Sequence, residues 1–191
     1  MDTNLVNSQK KEIRKKILAK RSMLSKEEWE KKSECISKKV ILHPFFLEAE
    51  EIYCYLDYKN EVGTRKIIEK AWELRKKVAV PKIIGDEMHF FYIESFEDVE
   101  EGYCRILEPV TGKIAQGDNV LVVMPGAVFD SKLNRIGYGK GFYDRYLDKH
   151  PSYHTLALAF SLQFIEDIPV DTHDKKPEAI ITEENDNGVY V

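Results

Sequence analysis

Six short apolar runs alternate with amphipathic segments along this chain, and that alternation constrains the fold more than any other feature. The runs are "EIYCYL" at 51–56, "VAVP" at 78–81, "MHFFYI" at 88–93, "VLVVMP" at 120–125, "TLALAF" at 155–160 and "AIIT" at 179–182. Their length and their β-branched and aromatic content predict strands. "VLVVMP" is the most apolar, which suits the centre of a sheet. Residues 8–22 carry Ile13, Ile17 and Leu18 on one helical stripe, with Ser8 placed to cap. "SKEE" is a capping box in which Ser25 faces Glu28, so a second helix begins there and ends at Pro44. Residues 64–77 put Ile67, Ile68, Ala71 and Leu74 on one side of a third helix, and a fourth is predicted over 142–149. Strands interleaved with helices predict an α/β fold with a largely parallel sheet. No repeat, low-complexity tract or linker interrupts the 191 residues, so one domain over 1–191 is expected.

The charge distribution narrows the function. Residues 1–40 hold 12 Lys/Arg against 6 Asp/Glu, while the rest holds 17 against 27. A basic segment on an acidic body suggests either intramolecular complementarity or an anionic ligand, with most of these lysines on a solvated helix face, and it argues against a nucleic acid, which needs a broad positive face. No apolar run is long enough to span a bilayer, and the first residues hold no secretory core, so a cytoplasmic protein is expected. Cys35, Cys54 and Cys104 form no C-x-x-C pair, which argues for reduced thiols. His43, His89, His150, His154 and His173 fall into no metal-ligand spacing. Nothing in the pattern demands assembly, and a monomer is expected.

The segment "RIGYGKGFYDRYL" at 135–147 is the chemically densest. Gly137, Gly139 and Gly141 permit positive φ and close backbone approach, so successive N–H groups can converge on an anion. The helix that follows adds its N-terminal partial charge. Lys140 supplies a mobile cation and Arg135 a planar fork suited to phosphate oxygens. The spacing is neither G-x-x-x-x-G-K-[ST] nor G-x-G-x-x-G, and glycines alone would signal only a flexible turn. With Arg, Lys, Phe142, Tyr143 and Asp144 added, a phosphate loop is the stronger reading.

Asp144 falls in the first helical turn, where a carboxylate commonly complements the helix dipole. Beside a polyphosphate it can instead hold Mg2+, which takes one or two carboxylates plus phosphate oxygens and water. Asp171 and Asp174 are both available as the second carboxylate, and physics alone does not choose between them. Lys10 and Arg14 lie four apart on one helical face, with Arg21 two turns beyond Arg14.

These residues resemble the 5-formyltetrahydrofolate cyclo-ligase family, also called 5,10-methenyltetrahydrofolate synthetases. The likeness is densest in "MPGAVFDSKLNRIGYGKGFYDRYL" and continues in "KKEIRKKILAKRSMLSKEEWEKKS", "YLDYKNEVGT", "ILEP" and "IPVDTHDKKPEAIITE", so it covers essentially the whole chain. It implies a three-layer α/β/α sandwich. It also implies ATP- and Mg2+-dependent conversion of 5-formyltetrahydrofolate to 5,10-methenyltetrahydrofolate, with ADP and phosphate released.

Residue by residue, the resemblance implies that Lys10 and Arg14 reach ATP together with Arg135, Ile136, Gly137, Tyr138, Gly139, Lys140, Gly141, Phe142 and Tyr143. Lys140 and Arg135 are the implied catalytic cations. Leu56, Glu61, Tyr138, Lys140 and Phe142 are implied to face the folate. Asp144 and Asp174 are the implied Mg2+ carboxylates. Met124 and Pro125 are expected to shape the pocket floor. Tyr138 stands where some members have arginine, and Phe142 where many have tyrosine. A different ATP-dependent enzyme of the same fold, acting on another formylated or carboxylated substrate, is the alternative reading.

Overall fold

The computed structural model describes residues 3–102, 106–110, 112–171 and 174–184, so Cys104 and His173 lie outside the described residues. A six-stranded sheet forms the centre. In chain order its strands are β1 (Glu51–Cys54), β2 (Lys77–Ile84), β3 (Glu87–Ile93), β6 (Val120–Met124), β9 (His154–Leu158) and β10 (Ala179–Ile181), in the spatial order β10-β9-β6-β1-β2-β3. Only β3 runs antiparallel, paired with β2 from Val78↔Ile93 to Ile84↔Glu87. β1 lies parallel between β2 and β6, and β9 parallel between β6 and β10. "VLVVMP" therefore does become an inner strand.

The pleat divides these strands between two cores. On one face Ile52, Cys54, Leu121, Val123, Leu156 and Ile181 pack with helices α2 (Lys26–Leu42), α3 (Pro44–Glu48) and α4 (Arg65–Glu73) through Ile36, Val40, Phe46, Ile67, Ile68 and Ala71. On the other face Tyr53, Val122, Met124, Ala157 and Ile180 pack with Tyr146 and Leu147 of α5 (Phe142–Lys149). The result is a mostly parallel sheet, as the strand–helix alternation predicts, in the three-layer α/β/α arrangement that the family resemblance implies. Among the described residues, no helix is long and apolar enough to cross a membrane.

Several boundaries differ from the sequence expectation. Helix α1 runs Thr3–Arg21, so Ser8 is interior to it, not its cap. The burial of Val6, eleven residues before Ile17 on the same stripe, supplies the packing that extends the helix. The Ser25–Glu28 capping box forms as expected. Pro44 ends α2 and also opens α3 as its first residue, where a missing N–H costs nothing. Helix α4 stops at Glu73, and Lys77 already belongs to β2. β2 continues past Pro81 because its pairing with β1 ends at Ala79, so the proline breaks no ladder bond.

Two hairpins went unpredicted. β4 (Val99–Glu101) pairs with β5 (Leu107–Pro109), and β7 (Val128–Phe129) with β8 (Arg135–Ile136). The second is interposed between β6 and the glycine segment, which therefore leaves the end of β8 and not β6 directly.

Candidate active site at the carboxyl ends of β1 and β6

The chain leaves β1 toward β2 on one side and later returns to place β6 on the other. β1 and β6 thus flank the topological switch point, where a crevice opens beyond the carboxyl ends of parallel strands. The loop 55–64 follows β1, and Pro125, the β7–β8 hairpin and the glycine segment follow β6.

Helix α1 closes this crevice. Its apolar stripe, Ile13, Ile17 and Leu18, packs on Val128, Ile136 and Ile168. That seating turns the cationic stripe toward the glycines. Lys10 pairs with Asp174. Arg14 donates from Nη1 to the Gly137 carbonyl at 2.9 Å, and Arg21 donates to the Tyr138 hydroxyl at 3.0 Å. Gly139 holds φ +92° with Arg14 beside it, and a Cβ there would stand 2.9 Å from Nη1. The backbone conformation therefore favours glycine, and a side chain there would also have to push the Arg14 guanidinium aside.

Arg135 lies beneath the loop, buried. Its Nη2 donates to Asp144 Oδ1 at 2.9 Å and its Nη1 to the Pro125 carbonyl at 3.3 Å. Its Nε and the Tyr143 hydroxyl are the two buried polar side-chain atoms that find no partner among the described residues. The Arg135 guanidinium stands 6.0 Å from the Tyr143 ring centroid, so both unsatisfied atoms belong to one neighbourhood. Buried donors left unpaired are costly, which marks this as a place suited to a polar ligand. Lys140 differs: its side chain is exposed and makes no hydrogen bond or ion pair among the described residues. It is a cation on a glycine-hinged loop, available to an incoming anion.

The two carboxylates converge across 30 positions of sequence. Asp144 Oδ1 accepts from Arg135 and also from the Lys175 backbone N–H at 3.0 Å. The residue before Lys175 is Asp174, whose Oδ2 faces Lys10 and accepts from the Asp171 N–H at 2.7 Å. Asp144 Oδ2 is turned toward the glycine loop, 3.9 Å from where a Cβ of Gly141 would stand. Among the described residues no group of three or more His, Cys, Asp or Glu side chains could hold a metal. A cation here would take these two carboxylates and complete its shell with ligand oxygens and water, a donor set that fits Mg2+ and not zinc.

On the β1 side, Asp57 Oδ1 accepts from the Thr64 N–H at 2.9 Å and Tyr55 donates to the Val62 carbonyl at 2.9 Å, tying the 55–64 loop into shape. Leu56 packs on the core beneath it. Glu61 is 8% exposed. Its Oε2 accepts from the Tyr58 N–H at 2.9 Å and its carbonyl from Trp29 Nε1 at 2.6 Å. Burial pushes the Glu61 carboxyl upward, opposed by hydrogen bonds from the Tyr138 hydroxyl and the Tyr58 N–H. The Tyr138 hydroxyl is itself held well above its ordinary range by desolvation.

Lys10, Arg14, Arg135, the glycines, Tyr138, Tyr143, Asp144 and Asp174 thus meet around one loop, with Glu61 joined through Tyr138. Phe142 faces elsewhere: it lines a groove with Met88, His89 and Tyr146, under the Arg145 guanidinium at 5.1 Å. Sequence reasoning did not identify Arg21 as part of this group. Its only signal was its place on the Lys10–Arg14 stripe.

A model of the 5-formyltetrahydrofolate cyclo-ligase family matches residues 6–183. The mouse protein named 5-formyltetrahydrofolate cyclo-ligase is 30% identical over 195 residues, covering 94% of this chain and 96% of that one. A probable 5-formyltetrahydrofolate cyclo-ligase of Schizosaccharomyces pombe is 32% identical, covering 78% of this chain and 82% of its own. The solved structure of the Aquifex aeolicus 5,10-methenyltetrahydrofolate synthetase superposes with a TM-score of 0.82 at 32% identity, over 92% of this chain and 90% of that one. The Mycoplasma pneumoniae 5,10-methenyltetrahydrofolate synthetase gives 0.75 at 27% identity, over 92% and 99%. Fold, length and sequence agree, and this chain belongs to the 5-formyltetrahydrofolate cyclo-ligase family.

Proposed function

We propose that this protein closes the 5,10-methenyl ring of 5-formyltetrahydrofolate, using ATP and releasing ADP and phosphate. The observation that carries this reading is the convergence of Lys10, Arg14 and Arg135 with Asp144 and Asp174 around a glycine loop at the switch point. Cations and carboxylates packed so closely suit a polyphosphate accompanied by a metal ion.

The chemistry follows from the leaving group. A formamide oxygen leaves poorly. Transfer of the γ-phosphoryl group from ATP to that oxygen releases ADP and turns the oxygen into part of a phosphate leaving group. N10 then attacks the formyl carbon, the C–O bond breaks with its electron pair going to phosphate, and the N10 proton is lost to give the methenyl cation. Such a transfer needs positioning and charge neutralisation more than a protein nucleophile. Lys10, Arg14 and the N–H groups of the glycine loop hold the phosphates. Arg135 and Lys140 offset the charge that develops on the transferred group. Asp144 and Asp174 would hold Mg2+, whose contribution when bound is to neutralise phosphate oxygens. Leu56 and the Tyr138 ring enclose the folate ring system, and Glu61 accepts hydrogen bonds from its N–H groups.

The test mixes the purified protein with 5-formyltetrahydrofolate, ATP and Mg2+ and follows methenyl product and phosphate together. Equal release of the two, lost when any component is omitted, is the expected result. Phosphate release without methenyl product would refute the substrate, and favour a same-fold enzyme acting on another formylated or carboxylated compound.

A further inference from the structure

We propose that Arg21 is a positioning residue for the folate side of this site, holding Tyr138 so that its hydroxyl donates to Glu61 and fixes that carboxylate toward the substrate. The proposal rests on the reading of Glu61 as the folate acceptor. Arg21 is the last residue of α1 and is 6% exposed, an unusual degree of burial for a guanidinium. It forms no direct ion pair among the described residues. Its side chain donates from Nη1 to the Tyr138 hydroxyl at 3.0 Å, with the guanidinium carbon 6.0 Å from the ring centroid.

Donor chemistry then sets a direction. Arginine has no acceptor, so the Tyr138 oxygen must accept, and its single O–H is left to donate. We assign that O–H to Glu61, whose carboxyl senses both the phenol and the Arg21 charge. Tyr58 N–H holds Glu61 Oε2 from the other side. A carboxylate has about four acceptor positions, so two fixed donors orient it and still leave positions for the substrate.

Arg21 also ties the two loops through its backbone. Asn60 donates from Nδ2 to the Arg21 carbonyl at 3.3 Å. One residue thereby joins the glycine loop, through Tyr138, to the 55–64 loop, through Asn60 and Glu61. The groups facing Glu61 are Asp57 and Tyr58 of its own loop, Tyr55 after β1, Tyr138 of the glycine loop, Tyr143 of α5 and Arg21 of α1. Arg21 is the one cation among them.

The test compares the full-length wild type with Arg21→Gln, Tyr138→Phe and the double variant. Steady-state kinetics give the KM for each substrate. Quenching of tryptophan fluorescence by 5-formyltetrahydrofolate gives binding without turnover, with Trp29 bonded to the Glu61 carbonyl as a local reporter. Loss of a hydrogen bond that supports a charged acceptor should raise the folate KM and Kd about tenfold in Arg21→Gln, while the ATP KM stays within about twofold. Tyr138→Phe should act in the same direction, and the double variant should be no worse than Arg21→Gln, since both break one chain. The acid limb of the kcat/KM profile for folate should also move to higher pH in Arg21→Gln, because Glu61 loses the Arg21 cation that faces it. A merely structural arginine would lower thermal stability and leave this profile and the KM split unmoved. An unchanged folate KM in Arg21→Gln, or an ATP KM rising in step with it, overturns the proposal. If Arg21→Gln does not fold, Tyr138→Phe, at a residue 43% exposed, decides by the same criteria. Wild-type protein that neither binds nor converts 5-formyltetrahydrofolate would instead overturn the functional reading beneath it.

Discussion

Replacing Asp144 with asparagine separates two roles that the sequence alone would confuse. If Asp144 only complemented the dipole of α5, Asp144→Asn would cost about 0.3–1 kcal/mol. The structure adds a larger role. The Arg135 side chain is 4% exposed and its charge is met by Asp144 Oδ1 at 2.9 Å, while its Nε already lacks a partner among the described residues. Asparagine preserves the shape but leaves that guanidinium buried without a counterion. Removing one partner of a fully buried pair costs roughly 3–5 kcal/mol, and water reaching the more exposed Asp144 side chain, at 24%, reduces this toward about 2–3 kcal/mol. At about 2–4 °C per kcal/mol for a chain of this size, Tm should fall by about 5–10 °C. Urea unfolding and thermal denaturation at neutral pH measure it directly. Pairing Asp144→Asn with Arg135→Gln should recover part of the loss, since the double variant no longer buries an unmatched charge. A Tm change below about 2 °C, with no recovery in the double variant, would refute this account of Arg135. The metal role has its own readout: initial rate against Mg2+ at fixed ATP should shift to higher Mg2+ in both Asp144→Asn and Asp174→Asn.

Three further outcomes are expected. Lys140→Ala should lower kcat by about 100-fold while leaving unfolding unchanged, because the side chain is exposed and the loss falls on the transferring phosphoryl group; wild-type turnover at saturating ATP would contradict it. Gly139→Ala should cost about 1–2 kcal/mol and raise the ATP KM, since φ +92° and the guanidinium of Arg14 both oppose a Cβ; denaturation and ATP titration check the two effects. Glu61→Gln should weaken folate binding yet stabilise the fold at neutral pH. Burial raises the Glu61 carboxyl above 4.5, so between that value and its folded pKa the native state binds more protons than the unfolded one and stability declines as pH rises. A comparison of unfolding free energies from acid to neutral pH should show that slope reduced in Glu61→Gln.

Periodicity and local turn chemistry made most of the fold legible. The six strands were identified from apolar runs, and the Ser25–Glu28 box placed the start of α2, because these signals depend only on neighbours along the chain. The glycine segment proposed to bind phosphate stood out for the same reason: its glycines, cations and carboxylate lie within ten residues of one another. Tertiary packing decided the rest. The early start of α1 depends on Val6 finding a buried place, and the antiparallel β3 on which edge of the sheet remained open. The two-residue strands of the β7–β8 hairpin are too short to carry a period. Asp144 read as a helix-dipole or metal residue, and its pairing with Arg135 emerged only when α5 folded back under the loop. Asp171 and Asp174 were equivalent in sequence; in space the Asp174 carboxylate faces Lys10, from a helix 164 positions earlier. Arg21 showed nothing but helical spacing, since a bond to Tyr138 across 117 positions leaves no local pattern. Local order is encoded in neighbouring residues, whereas the meeting of distant charges is decided by how the layers close.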